Sequence, residues 1–264
     1  MAKLKRRNHY LSQCYQQGFT DDSGGVWVKF TNEPEPEYRT PRGVGWERRL
    51  YIRTRHGKED DSIENFLANE VETPFAALSQ RIKNERNEFS AISGNELGIL
   101  SRFIAAQIVR TLGHKRAIDE QAGVAVDKNT FLRVMLRKMW ILMRDWSTRQ
   151  RQYYFHTSLP HVGDRFITGD SPVLILQVND NRIWMAHDEP SLQITDLAKI
   201  LEHPNHQFWM PLSPYVCVCL RGQWTEPPRL PPTTMDPAEI RMFNSHIRGQ
   251  CELFTLARDK DSLA

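Results

Sequence analysis

His9 and Asp170 are the two side chains of this 264-residue chain best placed, by type and context, to move a proton. A histidine titrates near neutrality, so it can act as general base or acid, hold a metal, or hydrogen-bond a sugar hydroxyl. His9 stands in "KRRNHYLSQCYQQGF", directly behind a basic tail of Lys3, Lys5, Arg6 and Arg7. The same residue can instead pin the N-terminal segment through a backbone hydrogen bond. Asp170 lies in "FITGDSPVLIL", where an acid and a proline break two apolar runs. Strands would hold that carboxylate rigidly while the loop leaves it reachable. An Asx-turn stiffened by Pro172 needs the same residues. Arg110 closes the apolar run "FIAAQIVRT" and either pairs with a carboxylate or holds a phosphate. Asn244 and His246 sit two apart on one helix, so at most one of them serves a given site.

The cations recur with some order. "ERRLYIRTR" reads as a strand, with Arg49, Tyr51, Arg53 and Arg55 on one face and Leu50 and Ile52 on the other. Arg133, Arg137, Arg144 and Arg151 keep to one stripe of a long helix. Such faces suit a phosphate backbone and a stacked base; a solvated helix face has the same pattern. His203 and His206 flank a proline in "EHPNHQ" without a third ligand. Arg151 with His156, and Arg182 with His187, repeat an R-x4-H spacing that chance readily produces. No GxGxxG, P-loop, HExxH, GxSxG or zinc-type CxxC pair is present. Cys217 and Cys219 share one face of a strand. With Cys14 and Cys251 they read as buried thiols of a reduced cytosol.

These residues need elements to position them. "HYLSQCYQQGF" is a short helix or turn closed by Gly18, and "VWVKF" is a strand. "TNEPEPEYRTPRG" is an exposed loop. A helical block covers residues 61–156. Its first helix carries Ile63, Phe66, Leu67, Val71, Phe75, Leu78 and Ile82 at spacings of three and four, with Pro74 kinking or dividing it. The second, "SGNELGILSRFIAAQIVRTLG", ends near Gly113. The third runs through "DKNTFLRVMLRKMWILMRDWSTRQRQYYFH", capped by Asp127 or Asn129, with Trp140 and Trp146 as core anchors. Strands then return: "RFITG", "PVLILQV", "NRIWMA" as a hairpin partner, "FWMPLSP" and "YVCVCLRG". "EPPRLPPTT" is a loop. Asp236-Pro237-Ala238-Glu239 opens a last helix with cap, proline and acid in register, and "ELFTLA" is a final strand. This order predicts one α+β domain over 1–264, with a mixed or antiparallel sheet from both ends of the chain and a helical insertion at 61–156.

Composition narrows the classes. The chain is 40% hydrophobic and 25% charged, as globular domains are, and its net charge is only +3. A nucleic-acid reading therefore rests on where the cations sit. No apolar run is long enough for a membrane span or a signal peptide, which predicts a cytoplasmic protein with no membrane partner.

The opening stretch "RNHYLSQCYQQGFTDDSGGVWVKF" resembles the start of a bacterial family known as domain of unknown function 4238. His9, Tyr15 and Gly18-Phe19 match its pattern, whereas Leu11-Ser12 replaces the usual valine–proline and Gln16 a common leucine. The resemblance continues through "IENFLANEVETPFAAL", "LSRFIAAQIVRT", "FITGDSPV" and "PLSP", and through Asn244. It implies that these blocks meet around one cleft holding His9, Tyr15, Arg110, Asp170 and Asn244.

The leading expectation is an effector enzyme of the toxin or phage-defence kind acting on nucleic acid, a nuclease. In it His9 is general base or acid, Asp170 orients it or binds a divalent metal, and Arg110, Arg49 and Arg53 hold the strand. A second is a toxin resembling small ADP-ribosyltransferases. There His9 would bind the ribose of NAD, a tyrosine would stack on nicotinamide, and Glu252 would polarise the ribose. The third is a non-catalytic binding or regulatory module, its partner an antitoxin or another protein.

Overall fold

In this computed structural model, which describes residues 7–85, 93–148, 152–158, 164–177, 206–221 and 233–263, strands lie towards both ends of the chain and a helical block lies between them. The N-terminal part supplies β1 (Arg7–His9), α1 (Gln13–Gln16), β2 (Val26–Phe30), β3 (Glu37–Arg39), β4 (Trp46–Arg48), β5 (Arg53–Arg55) and β6 (Lys58–Asp60). The helical block holds α2 (Ser62–Phe66), α3 (Thr73–Glu85), α4 (Gly94–Val109), α5 (Leu112–Ala122) and α6 (Lys128–Thr148). Then come β7 (Gln152–Ser158), β8 (Thr168–Gly169), β9 (Leu174–Gln177), β10 (His206–Ser213), β11 (Val216–Arg221), β12 (Thr233–Met235), α7 (Pro237–Gln250) and β13 (Phe254–Ala257).

The larger sheet has the order β12-β7-β11-β10-β9, antiparallel except where β12 joins β7. Successive strand residues face opposite ways, and here both faces are covered. Phe208, Met210, Leu212, Val216, Val218 and Leu220 join the main core under α3, α4 and α6. Trp209, Cys217 and Cys219 join a second core with Ile240, Phe243 and Ile247 of α7. The second sheet, β3-β2-β13-β8, sets the C-terminal strand β13 between β2 of the N-terminal part and β8. Gly18 lets the segment after α1 pass the backbone of β10: a Cβ there would lie 2.7 Å from the Leu212 carbonyl oxygen.

Several local expectations need correction. The 47–54 stretch is not one strand. β4 ends at Arg48, Arg49 takes φ 64°, and the chain turns so that Leu50, Tyr51 and Ile52 are all buried. The division expected in the 61–85 helix comes just before Pro74: α2 ends at Phe66, and a π-helical turn over Leu67–Glu72 leads into α3. Pro74 has no N–H for the Glu70 carbonyl, which instead accepts from Arg102 at 3.0 Å, and Thr73 Oγ1 donates to the Ala68 carbonyl at 2.8 Å. α4 ends at Val109, before Gly113, because Thr111 caps α5 by accepting from the His114 N–H. α6, capped by Asp127, ends by Thr148, and residues 152–156 belong to β7. "TNEPEPEYRTPRG" is mostly exposed but contains β3. The "NRIWMA" strand, the loop residues 226–232, Arg151, Arg182, His187 and His203 lie outside the described residues.

Candidate functional site

His9, Tyr15, Arg110, Asp170 and Asn244 are buried, and their polar atoms are used inside the protein. β1 pairs with β4 so that His9 stands opposite Trp46. The His9 ring is 8% exposed. Gln13 Nε2 donates to Nδ1 at 3.3 Å, which places the ring proton on Nε2, facing the Arg42 carbonyl at 3.4 Å. Burial lowers its pKa, outweighing the Arg42 carbonyl and the Glu72 charge, which act the other way. His9 is therefore a neutral imidazole near pH 7.

Arg110, the residue after α4, is 1% exposed. Its Nη1 donates to Glu72 Oε1 at 2.7 Å, its Nε to the Tyr51 hydroxyl at 3.3 Å, and its Nη2 to the His9 carbonyl. Burial disfavours its charge, but Tyr51 and Glu72 outweigh that and hold the guanidinium protonated. Tyr51 returns a hydrogen bond to the Arg110 carbonyl, and its backbone N–H is held by Asn8 Oδ1. Glu72 was missing from the sequence reading. Its signal lay in "EVETPF": the π turn in front of Pro74 swings that acid inward.

Asp170 follows Gly169, whose missing Cβ leaves room for Cys251. The carboxylate accepts from the Leu253 N–H at 2.9 Å and the Glu252 N–H at 3.2 Å, and the Cys251 thiol donates to it. Burial still pushes its pKa up to about 6. His9 and Asp170 share no hydrogen bond; each is satisfied by other groups. Tyr10, next to His9 in the chain, feels the Asp170 charge, and burial together with that charge raises its pKa. Tyr15 is bonded at 2.7 Å to both Thr168 Oγ1 and the Pro211 carbonyl. Asn244 clamps the segment leading into β8, accepting from the Ile167 N–H and donating to the Arg165 carbonyl. Glu252 pairs with Arg116. The quoted sequence blocks thus meet as a hydrogen-bonded junction.

The cations sort differently. Arg49 is no longer on a strand face and pairs with Glu59; Arg53 donates to Asp60 at 2.7 Å and to Ser62 at 3.0 Å. On α6, Arg133, Arg137 and Arg144 are exposed and, among the described residues, make no ion pair or side-chain hydrogen bond. Trp140, expected in the core, is 55% exposed. Helical phase explains it. At about 100° per residue, Arg133, Arg137, Trp140 and Arg144 fall within roughly 60° of one another. The buried residues Phe131, Leu132, Met135, Met139, Leu142 and Trp146 occupy the opposite side. The spacing 133, 137, 140, 144 was legible in the sequence; side-chain type hid it. α6 carries Lys128, Arg133, Arg137, Lys138 and Arg144 against a single acid, Asp145.

At the start of this stripe, α6 and the β5–β6 hairpin enclose a groove of about 470 Å3 with Arg53, Asn129 and Arg133 on its rim. Among the described residues, no three His, Cys, Asp or Glu side chains group to hold a metal, and no helix is long and apolar enough to cross a membrane.

A family model described as "Protein of unknown function (DUF4238)" matches residues 7–261. No curated protein matches the chain, and no solved structure does.

Proposed function

The chain belongs to the DUF4238 family, whose description names no reaction, and we propose that it binds single-stranded nucleic acid along the solvent face of α6. One observation carries this reading: Trp140 stands 55% exposed among three exposed arginines that make no ion pair among the described residues. An exposed tryptophan of that size is unusual on a helix whose other large apolar residues are buried or half-buried. Many arginines elsewhere are engaged, since Arg39, Arg81, Arg116, Arg165, Arg241 and Arg258 all meet carboxylates.

The chemistry fits a strand with accessible bases. Arginine forks bind phosphates, and an indole stacks on any base regardless of sequence. From Arg133 to Arg144 the helix rises about 16 Å at 1.5 Å per residue, enough for roughly five stacked nucleotides at 3.4 Å each. A duplex would keep its bases from Trp140. Binding is favoured over cleavage because His9, Arg110 and Asp170 already spend their polar atoms on the protein.

The test is titration of the full chain with octathymidylate, reading tryptophan fluorescence and the integrity of the strand. Quenching is expected in the wild type, with the strand recovered whole. Trp140→Ala should weaken binding by about 5-fold or more, from about 1–3 kcal/mol per stacked base. Equal affinity of Trp140→Ala and wild type would overturn the assignment.

A further inference from the structure

The groove at the start of α6 is built differently from the stripe beside it. Its floor is apolar, formed by Ile63, Leu132 and Leu136, of which the first two are buried. Its rim carries donors. Arg53 spends Nε on Asp60 and Nη2 on Ser62, which leaves Nη1 for a ligand. Arg133 spends none. The two walls are locked together: Asn129 donates to the Thr54 carbonyl and accepts from the Thr54 N–H, both at 3.2 Å. That pairing makes the groove a fixed shape between helix and hairpin. Its volume of about 470 Å3 lies in the range of about 300–1,000 Å3 typical of small-ligand sites. An apolar slot with cationic donors at its mouth is complementary to a flat heterocycle bearing a phosphate.

We infer that this groove takes one unstacked nucleotide of the bound strand, its base on Ile63, Leu132 and Leu136 and its phosphate on Arg133. The inference rests on the strand-binding reading of α6 and adds a second, distinct contact to it. Trp140 stacks on bases from outside; the groove removes one base from the stack and encloses it. Arg133 is the shared residue, at the groove mouth and the head of the stripe. Paired bases cannot enter, so a strand with a free or splayed base is the substrate class.

The experiment uses the 15N-labelled full chain and three probes: thymidine 5′-monophosphate, deoxyribose 5-phosphate and octathymidylate. The monophosphate should shift the amides of Thr54, Asn129, Thr130 and Leu132. Deoxyribose 5-phosphate should leave Leu132 unmoved. Leu136→Trp, which fills the slot, should abolish the monophosphate shifts and weaken octathymidylate about 10-fold while Trp140 quenching persists. Arg133→Gln, a surface change that leaves the floor intact, should lose the shifts as well. Octathymidylate that quenches Trp140 while the monophosphate moves none of these amides would overturn the groove and leave the stripe standing. Equal shifts from both small probes would overturn base insertion. Octathymidylate that does not bind at all would remove both.

Discussion

Replacing Arg110 by methionine should destabilise the protein by about 3 kcal/mol and release its N-terminal segment first. Methionine keeps the length and apolar stem of the side chain but removes every donor. The Tyr51 hydroxyl loses the Arg110 Nε and the His9 carbonyl loses Nη2. A buried polar group left unpaired costs about 1–3 kcal/mol. Tyr51 keeps its own bond to the Arg110 carbonyl, so its share lies at the low end. Glu72 has a side chain 26% exposed and can turn to water, so it adds less than a fully enclosed carboxylate would. The guanidinium stands 5.6 Å from the buried Tyr51 ring, a desolvated contact worth up to about 2 kcal/mol. Removing one partner of a buried pair typically costs about 3–5 kcal/mol, even where replacing both by apolar groups is neutral. Urea unfolding should show a lower midpoint at an unchanged slope, the sign of a stability change alone. Hydrogen exchange should speed up at residues 8–11 more than in β10 or β11. Stability within 0.5 kcal/mol of wild type, or uniform exchange, would refute the view that Arg110 ties β1 to α4.

Asp170 has a folded pKa near 6, above an unfolded value near 4. Its contribution is thus fully present below about pH 4 and lost as pH rises through 6, by about 3 kcal/mol in all. Asp170→Asn should gain stability relative to wild type by about that much between pH 4 and pH 7; a pH-independent difference would contradict the burial. His114 is 1% exposed with both ring nitrogens unpartnered, and burial drives its pKa down to about 3. Stability linked to this ring is unaffected by pH above about 6.5 and falls as pH drops from there towards 3. His114→Leu should raise the melting temperature at pH 7 and blunt acid unfolding, because it removes an unpaired buried group worth about 1–3 kcal/mol; a large loss of stability would refute this. The two tryptophans of α6 should part company. Trp146→Ala should cost about 3–5 kcal/mol, whereas Trp140→Ala should stay within about 0.5 kcal/mol, both measured by urea unfolding.

The sequence made the fold class legible because its strongest signals are local. The capping box Asp236–Glu239 forms as its spacing predicts, with both reciprocal hydrogen bonds made. Strands "VWVKF" and "YVCVCLRG" stand where their β-branched runs put them. What stayed hidden depended on tertiary context. "ERRLYIRT" alternates in composition, yet Asn8 pins Tyr51 and the core takes Leu50, Tyr51 and Ile52 together. Periodicity cannot anticipate that turn. The site divided in the same way. Sequence singled out His9, Arg110, Asp170 and Asn244 as special polar residues, and all four are buried. It could not show which groups they would face, because Glu72, Tyr51 and the 252–253 backbone come from distant segments. Trp140 is the reverse case: its phase on α6 put it among the arginines, and its apolar type argued for the core. Phase decided.

The salt dependence of binding tests the central claim most directly. Octathymidylate affinity should be measured from 50 to 300 mM salt for wild type and for the triple variant Arg133→Gln, Arg137→Gln, Arg144→Gln. Each phosphate contact on a single strand contributes about −0.7 to the slope of log affinity against log salt. The account predicts a wild-type slope steeper than that of the variant by about 2, with the variant as stable as wild type to urea. Equal slopes for the two proteins, or no binding by the wild type at 50 mM salt, would contradict it.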